Sequence, residues 1–293
     1  MPTSGSEDLA RFSRALRRHA PQLGRPLPWI GCGDPWAILV SEVMLQQTQV
    51  ARVVEPWRRF LATFPTPRAC ADAPLASTIR LWEGLGYHRR ARALHDAARV
   101  IRDEHDGEVP RDVASLRSLP GVGEYTAHAV ASFAFGEHVA VLDTNVGRVL
   151  ARAVANRTLS RPEARELADR LLPVRHSGAH NQALLDLGAQ FCRANPRCES
   201  CPLANACRWR CEGGDDPAPL SAAVSRRQST FEGSDRQIRG RILGLLRTED
   251  APLAAVVAHV GPGARDRVER LVTDLVEDGL VERVGRRLRL ATA

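Results

Sequence analysis

The feature that most restricts the fold of this chain is a run of cysteines in residues 192–207, CRANPRCESCPLANAC. Intervals of five, two and five residues separate Cys192, Cys198, Cys201 and Cys207. Thiolates so close in sequence can wrap around one metal centre, which would fix the path of the whole loop. Zinc sites usually pair two short Cys-x2–4-Cys hooks, whereas a single continuous run is typical of an iron–sulfur cluster. The spacing therefore favours an iron–sulfur cluster over zinc.

Residues 119–123, LPGVG, predict a tight turn between two helices. Glycine tolerates positive φ, and such a turn leaves several amide N–H groups exposed at the start of the next helix. Those amides and the helix dipole can hold a phosphate without a charged side chain. Pro120, Gly121 and Gly123 are thus candidate phosphate contacts, although the same motif also occurs as a plain turn.

Asp143 is a lone carboxylate between the apolar run 139–142 and a predicted helix at 145–155. In this place an aspartate can serve as a helix N-cap, because its side chain accepts hydrogen bonds from the first-turn amides. It can equally be a catalytic carboxylate at a fixed distance from the phosphate-binding turn. The sequence leaves both interpretations open.

A second carboxylate, Glu42, lies on the apolar stripe of a helix predicted over 36–50. Burial disfavours the charged form, so we expect the pKa of Glu42 to be raised. A protonated carboxyl at neutral pH can donate a proton to a leaving group. The alternative is a structural glutamate that bonds to nearby backbone or to an arginine. Polar residues follow, among them Gln47 and Thr48. They are suited to hydrogen bonding with base edges, but they can equally form an ordinary polar surface.

The loop 83–87, EGLGY, presents an apolar and an aromatic side chain between glycines, and such tips can wedge into a base stack. A half-buried Tyr87 at a helix connection is the alternative. The arginine-rich strip 88–92, HRRAR, is interpreted as a phosphate-facing strip or as a solvated helix face.

The formal charge of +7 favours an acidic partner, either nucleic acid or a membrane surface. All 41 basic residues are arginine, and without lysine a Schiff-base mechanism on a lysine side chain is excluded. The N-terminus lacks the apolar segment of a signal peptide, and no run is long enough to span a membrane. We therefore expect a cytoplasmic protein in which Cys32, Cys70 and Cys211 are structural thiols.

The periodicity predicts a mainly α fold with almost no strand before residue 280. Residues 212–235 have the composition of a linker. Three helical patterns and an alternating segment at 280–290 indicate a winged-helix-like segment over 236–293.

Taken together, these motifs resemble those of the MutY-type adenine DNA glycosylases, in the helix–hairpin–helix superfamily that also contains endonuclease III. The resemblance runs from about residue 27 to residue 207. Its motifs are LPW at 27–29, SEVMLQQTQV at 41–50, GLGY at 84–87, LPGVG at 119–123, VLDTNV at 141–146, NQALLDLG at 181–188 and the cysteine run. It implies a two-lobed, endonuclease III-like helical fold. Residues 1–34 and 140–211 would form a cluster-bearing lobe, and residues 35–139 a six-helix lobe with the helix–hairpin–helix at 116–135.

The resemblance also implies a monofunctional enzyme of base excision repair, which excises adenine mispaired with 8-oxoguanine or guanine. Glu42 would protonate the adenine, Asp143 would stabilise the sugar cation, and Tyr125 and Asn145 would position the reacting groups. The four cysteines would hold a 4Fe–4S cluster. The implied DNA contacts are Gln47, Thr48, Tyr87, Pro120, Gly121, Gly123 and Gln182.

The implied partner is double-stranded DNA that contains the mispair; we expect a monomer acting at the nucleoid. Four features depart from the family pattern: Ile30 replaces an arginine, Thr144 replaces a glycine, the first cysteine interval is one residue short, and a winged-helix-like segment stands where a Nudix-like domain is usual. Two alternatives remain: a thymine or uracil mismatch glycosylase of the same superfamily, and a non-catalytic iron–sulfur protein that binds DNA.

Overall fold

The computed structural model describes residues 4–224, 230–261 and 265–293, and this part of the chain is mainly helical, which confirms the predicted fold class. The chain divides into two compact units, each discontinuous in sequence. The first unit comprises residues 1–33 and 124–227, and the second comprises residues 34–123 and 228–293. No helix of the described part is both long enough and apolar enough to cross a membrane.

The first unit is a helical bundle around a core of aliphatic side chains. Its helices are α1 (Ser4–Leu23), α8 (Glu124–Phe135), α9 (Thr144–Val149), α10 (Arg161–Leu171), α11 (Ser177–Gln190) and α12 (Arg208–Glu212). A π-helical turn, Leu150–Ala155, continues α9. Helix α10 begins with a capping box between Ser160 and Glu163, which satisfies amides that a helix start otherwise leaves without partners.

Residues 213–224, predicted as the start of a linker, pack against the first unit. Ala218 and Ser221 are 1% and 3% exposed. The hydroxyl of Ser221 accepts a hydrogen bond from the amide of Leu159 at 3.1 Å, and the Ala222 amide donates to the Leu159 carbonyl at 2.9 Å. This segment is therefore part of the unit and not a free connection.

The second unit combines the helices that precede the hairpin turn with the C-terminal segment. Its helices are α2 (Pro35–Leu45), α3 (Val54–Thr63), α4 (Pro67–Ala71), α5 (Leu75–Leu81), α6 (Arg89–Glu104), α7 (Val113–Ser118), α13 (Asp235–Leu246), α14 (Leu253–Val260) and α15 (Arg265–Glu277). Its strands are β1 (Ala251–Pro252), β2 (Val281–Val284) and β3 (Arg287–Leu290).

The three strands form an antiparallel sheet in the order β1-β3-β2, with Val281 opposite Leu290 and Ala251 opposite Leu288. The two-residue strand β1 was not recognised in the sequence, because it is too short to show an alternating pattern. With α13, α14 and α15 this sheet makes the winged-helix-like arrangement that the periodicity predicted.

The C-terminal segment shares one hydrophobic core with α5. Leu75 and Ile79 of α5 lie in the same cluster as Ile242, Leu271 and Leu288, all at most 1% exposed. Burial of such side chains stabilises a fold by roughly 1.5–3 kcal/mol each. The segment is therefore fixed to the helices of the second unit by a continuous core.

Candidate active site and metal centre

Asp143 ends an extended stretch and is the N-cap of α9. Its Oδ1 accepts a hydrogen bond from the Val146 amide at 2.7 Å, and its Oδ2 accepts one from the Asn145 side chain at 2.6 Å. Part of the residue is exposed, but its carboxylate is surrounded by protein atoms. Asp143 is therefore a helix N-cap, as one of the two interpretations predicted. A catalytic role is compatible with this, because the capped carboxylate is held in one orientation.

Burial raises the pKa of Asp143 above the usual aspartate value, and the hydrogen bonds from Val146 and Asn145 and the charge of Arg148 oppose this rise. Burial prevails because an ionised carboxylate loses more from desolvation than these donors return. The ionised form is therefore poorly solvated, and a positive charge that develops beside it would stabilise it strongly.

A chain of hydrogen bonds connects Asp143 to the cysteine loop. The amide oxygen of Asn145 accepts a hydrogen bond from Arg148 at 2.6 Å, and Nε of Arg148 donates to the backbone carbonyl of Cys192 at 2.7 Å. Asn145 also lies tightly against α11, since a Cβ atom added at Gly188 would come within 2.7 Å of it. The orientation of the Asp143 carboxylate therefore depends on the packing of α9, α11 and the cysteine loop.

Tyr125 and Gln182, the other predicted site residues of the first unit, are partly buried. Tyr125 lies in the first turn of α8 and packs against the core of the unit. Gln182 lies on α11 and donates to Oδ1 of Asp186 at 3.1 Å, and Asp186 also pairs with Arg25 at 2.6 Å. Gln182 is thus held by the buried carboxylate of Asp186, which also pairs with the partly exposed Arg25.

The four predicted ligands line one small apolar pocket of the first unit. Burial raises the pKa of the Cys207 thiol to about 11, with further increases from the neighbouring Cys192, Cys198 and Cys201. In the ranges that the structure describes, no group of three or more His, Cys, Asp or Glu side chains is already drawn together as ligands of one metal ion.

Arg152, a buried residue of the π-helical turn Leu150–Ala155, contacts this loop and was not identified from the sequence. It is 1% exposed and donates to Sγ of Cys192 at 3.4 Å and to the carbonyl of Arg193 at 2.6 Å. Its charge is balanced by the carboxylate of Asp216, 2.6 Å away, in the segment 213–224 that packs against the first unit. The cysteine loop is therefore fastened from one side by the hydrogen bonds of Arg152, whose side chain is itself held by the ion pair with Asp216, 64 positions away in sequence.

Glu42 lies in α2, and Trp36 to Met44 of this helix are all buried. The helix is buried around its full circumference, whereas the sequence predicted burial of a single stripe. The indoles of Trp36 and Trp57 hold it in place by donating to the carbonyls of Phe64 and Ala37 at 3.0 and 2.8 Å. Glu42 itself is 5% exposed. It belongs to the second unit, whereas Asp143 belongs to the first.

The hairpin turn follows α7, which ends at Ser118, and precedes α8, which begins at Glu124. Gly121 has a φ of +75°, and a Cβ atom there would lie 2.6 Å from the Cβ of Ala93. Glycine is therefore required at this position by both backbone conformation and close approach. Gly123 is exposed and is not among the residues with positive φ, and a Cβ atom added there would meet no atom within 4 Å. Pro120, which precedes Gly121 in the turn, is partly buried.

Gln47 and Tyr87, the predicted stack-filling residues, both adopt left-handed backbone conformations, with φ of 56° and 48°. This conformation is costly for residues other than glycine, and it persists only where surrounding contacts enforce it. Thr48 lies beside Gln47, and its hydroxyl donates to the Leu85 carbonyl at 3.3 Å. The structure therefore brings the loops 46–48 and 84–87 together.

Arg90 supplies the contacts that hold these loops. Its Nη1 donates to three carbonyls at the end of α2, at 2.6–2.9 Å, and its Nη2 donates to the Leu85 and Gly86 carbonyls and to the Thr48 hydroxyl, at 3.0–3.1 Å. It is 9% exposed. Burial lowers the pKa of Arg90 to about 10, so it remains charged at neutral pH. The prediction that the strip 88–92 faces phosphate or solvent is wrong for Arg90.

We expect Arg90→Met to destabilise the protein by about 3 kcal/mol or more, because several buried carbonyls lose their donor at once. Urea denaturation followed by circular dichroism measures this change. Arg99→Met is the matched control, since Arg99 is an exposed arginine of the same helix and its removal should cost less than about 0.5 kcal/mol. Equal midpoints for the two variants would show that Arg90 does not hold the loops.

Comparison with known proteins gives concordant matches. Residues 40–173 match the family model of the HhH-GPD superfamily base excision DNA repair proteins. The adenine DNA glycosylase of Mycolicibacterium smegmatis is 45% identical over 267 residues, 88% of this chain and 88% of that protein. That of Mycobacterium tuberculosis is 44% identical over 272 residues, 88% of this chain and 86% of that protein. That of Homo sapiens is 39% identical and matches 69% of this chain but 40% of its own length.

Two solved structures are also similar. A thermostable thymine-DNA glycosylase gives a TM-score of 0.64 at 27% identity, and the match covers 71% of this chain and 98% of that one. An endonuclease III trapped in a covalent intermediate with DNA gives a TM-score of 0.58 at 28% identity, with 68% and 97% coverage.

Proposed function

We propose that this chain, which belongs to the adenine DNA glycosylases of the HhH-GPD superfamily of base excision DNA repair proteins, hydrolyses the N-glycosidic bond of adenine mispaired with 8-oxoguanine or guanine. The observation that carries the proposal is the Asp143 carboxylate, oriented by the Val146 amide and the Asn145 side chain and raised in pKa by burial. A poorly solvated, oriented carboxylate is what a developing sugar cation requires.

Two chemical problems have to be solved in this reaction. Adenine leaves as an anion unless it is protonated, and the sugar becomes positively charged as the bond breaks. Glu42 donates a proton to adenine, which departs with the bonding electron pair as a neutral base. Asp143 stabilises the sugar cation, to which a water molecule adds and then loses a proton, leaving a hydroxyl group at the abasic site. Tyr125 and Asn145 position the reacting groups, and the hydrogen bond from Asn145 to Asp143 is part of that positioning.

The DNA is held by backbone and polar groups. The turn Pro120, Gly121 and Gly123 contacts a phosphate through its amides. Gln47 and Tyr87 fill the stack that the extruded nucleotide leaves, Thr48 lies near the base opposite adenine, and Gln182 lies near the adenine. The left-handed backbone of Gln47 and Tyr87 supports this role, because strained residues concentrate at functional sites.

We further propose that Cys192, Cys198, Cys201 and Cys207 hold a 4Fe–4S cluster. Their common pocket and the four-sulfur donor set fit this group. When bound, the cluster supplies a rigid cross-link for the loop. Protein purified under anaerobic conditions should contain about four iron ions per chain and be brown. Chelation of the iron should lower the melting temperature, since a ligand that binds only the folded state stabilises it. A colourless protein that contains zinc would contradict this assignment.

The reaction should stop at the abasic site, since the chain contains no lysine for a Schiff base. As a monomer the enzyme would act on chromosomal DNA in the cytoplasm, at the nucleoid. DNA as substrate agrees with the names of the relatives and with the DNA complex among the similar structures.

The test is a panel of duplexes that carry A:8-oxoguanine, A:G, T:G or U:G, incubated with excess enzyme and then treated with alkali. We expect strand cleavage at adenine in the first two duplexes, and only after the alkali. The similarity to a thymine-DNA glycosylase makes the T:G duplex the informative comparison. Cleavage confined to the T:G or U:G duplex would show that thymine or uracil, and not adenine, is the base removed. If no duplex is cleaved, a non-catalytic DNA-binding protein is favoured.

A further inference from the structure

The segment 139–143, which leads to Asp143, belongs to no helix or strand. The three strands of the described ranges all lie in the second unit, so no sheet supplies hydrogen bonds to this segment of the first unit. Ala140 and Val141 are nevertheless 2% and 0% exposed. Buried amides and carbonyls are almost always hydrogen-bonded in a stable protein. Side chains must therefore provide the partners of this segment.

The first of these side chains is Asn181 of α11, which is 1% exposed. Its Oδ1 accepts a hydrogen bond from the Val141 amide at 3.2 Å. Its Nδ2 donates to the Val139 carbonyl at 2.8 Å and to the hydroxyl of Ser132, in α8, at 2.9 Å. One carboxamide therefore holds the backbone on both sides of Ala140 against α8 and α11.

The second is Arg165 of α10, which holds the peptide group between these two points. Its Nη1 donates to the Ala140 carbonyl at 2.9 Å, and Nδ1 of His128 lies 2.9 Å from the same oxygen. Nη2 of Arg165 donates to Oε1 of Glu124, the first residue of α8, at 2.8 Å. The segment 139–141 is thus fixed by side chains of three helices, α8, α10 and α11.

Helix α11 contacts the chain again on the other side of Asp143. Gly188 follows Asn181 by seven residues, which is close to two helical turns and places both on one face of α11. A Cβ atom at Gly188 would lie 2.7 Å from Asn145. The contacts therefore fall two residues before and two residues after Asp143. Because two residues of chain span at most about 7 Å, the location of Asp143 relative to α11 is narrowly limited.

The same helix carries Gln182, the neighbour of Asn181 in sequence, for which we propose a place near the adenine. A helix that both locates the Asp143 carboxylate and carries a contact to the base fixes the distance between the two. Reacting groups need such placement to within about 0.5 Å.

We propose that Asn181 and Arg165 are positioning residues, which set the distance between the Asp143 carboxylate and the sugar of the adenine nucleotide. They act through the backbone of residues 139–141 and not by contact with DNA. The inference rests on the proposed function, in which Asp143 stabilises the sugar cation.

The test compares affinities for two duplexes in which a ring replaces the adenine nucleotide. One ring is a pyrrolidine, whose protonated nitrogen imitates the sugar cation, and the other is an uncharged tetrahydrofuran. Wild-type protein should prefer the pyrrolidine on the order of a hundredfold, as transition-state analogues are preferred.

Asn181→Leu, a change to a side chain of similar size, should reduce this preference about tenfold, since a misplacement of about 1 Å can cost up to about a hundredfold. Its affinity for the tetrahydrofuran duplex should stay within about twofold of wild type, because this ring offers no charge for Asp143 to stabilise. Arg165→Met removes one donor of the segment and should reduce the preference about threefold.

Leu16→Ala is the matched control, because Leu16 is 1% exposed in the core of the same unit and its truncation lowers stability without removing these hydrogen bonds. It should keep the wild-type preference, and a similar loss in this variant would reduce the effect to stability and overturn the proposal. An unchanged preference in Asn181→Leu would also overturn it. If Asn181→Leu does not fold by circular dichroism, Arg165→Met decides in the same way.

The wild-type measurement separates this proposal from the proposed function. Wild-type protein that binds both rings equally would refute the role of Asp143 itself, and the positioning role would fall with it. If the wild-type protein discriminates and Asn181→Leu discriminates equally well, the role of Asp143 stands and only the positioning role is refuted.

Discussion

Asp143→Asn should lower the single-turnover rate of adenine release by two to three orders of magnitude. A carboxylate ~4 Å from the sugar cation, at an effective dielectric constant near 20, stabilises it by ~4 kcal/mol. This energy corresponds to about three powers of ten in rate. The substitution removes the charge but keeps the helix start, because asparagine caps helices about as well as aspartate. The rate loss should therefore appear without a loss of stability.

Single-turnover assays on an A:8-oxoguanine duplex, with thermal melting alongside, measure both effects. Asp169→Asn is the matched control, since Asp169 is exposed and belongs to the same unit. The wild-type rate should also fall as pH decreases through the pKa of Asp143, which burial has raised, because only the ionised form stabilises the cation. A rate for Asp143→Asn within fivefold of wild type would rule out this role.

Glu42→Gln should reduce adenine release by at least about two orders of magnitude, the lower end of what general acid catalysis contributes. Glutamine has the shape of glutamate and fits the buried helix α2, yet its amide cannot transfer a proton to the leaving base. Glu55→Gln, an exposed position on the neighbouring α3, provides the control for loss of a carboxylate. The same single-turnover assay gives the rates.

A change of leaving group distinguishes the role of the Glu42 carboxyl from that of the Asp143 carboxylate. A purine that departs more readily as an anion needs less protonation, so the defect of Glu42→Gln should shrink with such a substrate. The defect of Asp143→Asn should persist, because the sugar cation still forms. If both defects respond alike, or if Glu42→Gln releases adenine at the wild-type rate, Glu42 is not the acid.

Local sequence determined the positions of the main helices and of the turns in this protein. The main helices lie where apolar periodicity placed them, as for α10, predicted over 161–173 and found at Arg161–Leu171. Asp143 at the start of α9 and the left-handed Gly121 follow from capping and turn preferences, which act within a few residues. The mainly α fold and the family also followed from motifs that the sequence alone displays.

What only the tertiary structure decided concerns side chains whose partners are far away in sequence. Arg90 resembled a surface arginine, yet it is buried against carbonyls of residues 43–46. Arg152 pairs with Asp216 in a segment whose composition is that of a linker, and Arg236 reaches Tyr87. The physical reason is that periodicity defines the faces of a helix, but it does not specify which distant segment packs on each face. Long arginine side chains then lie wherever that packing provides acceptors.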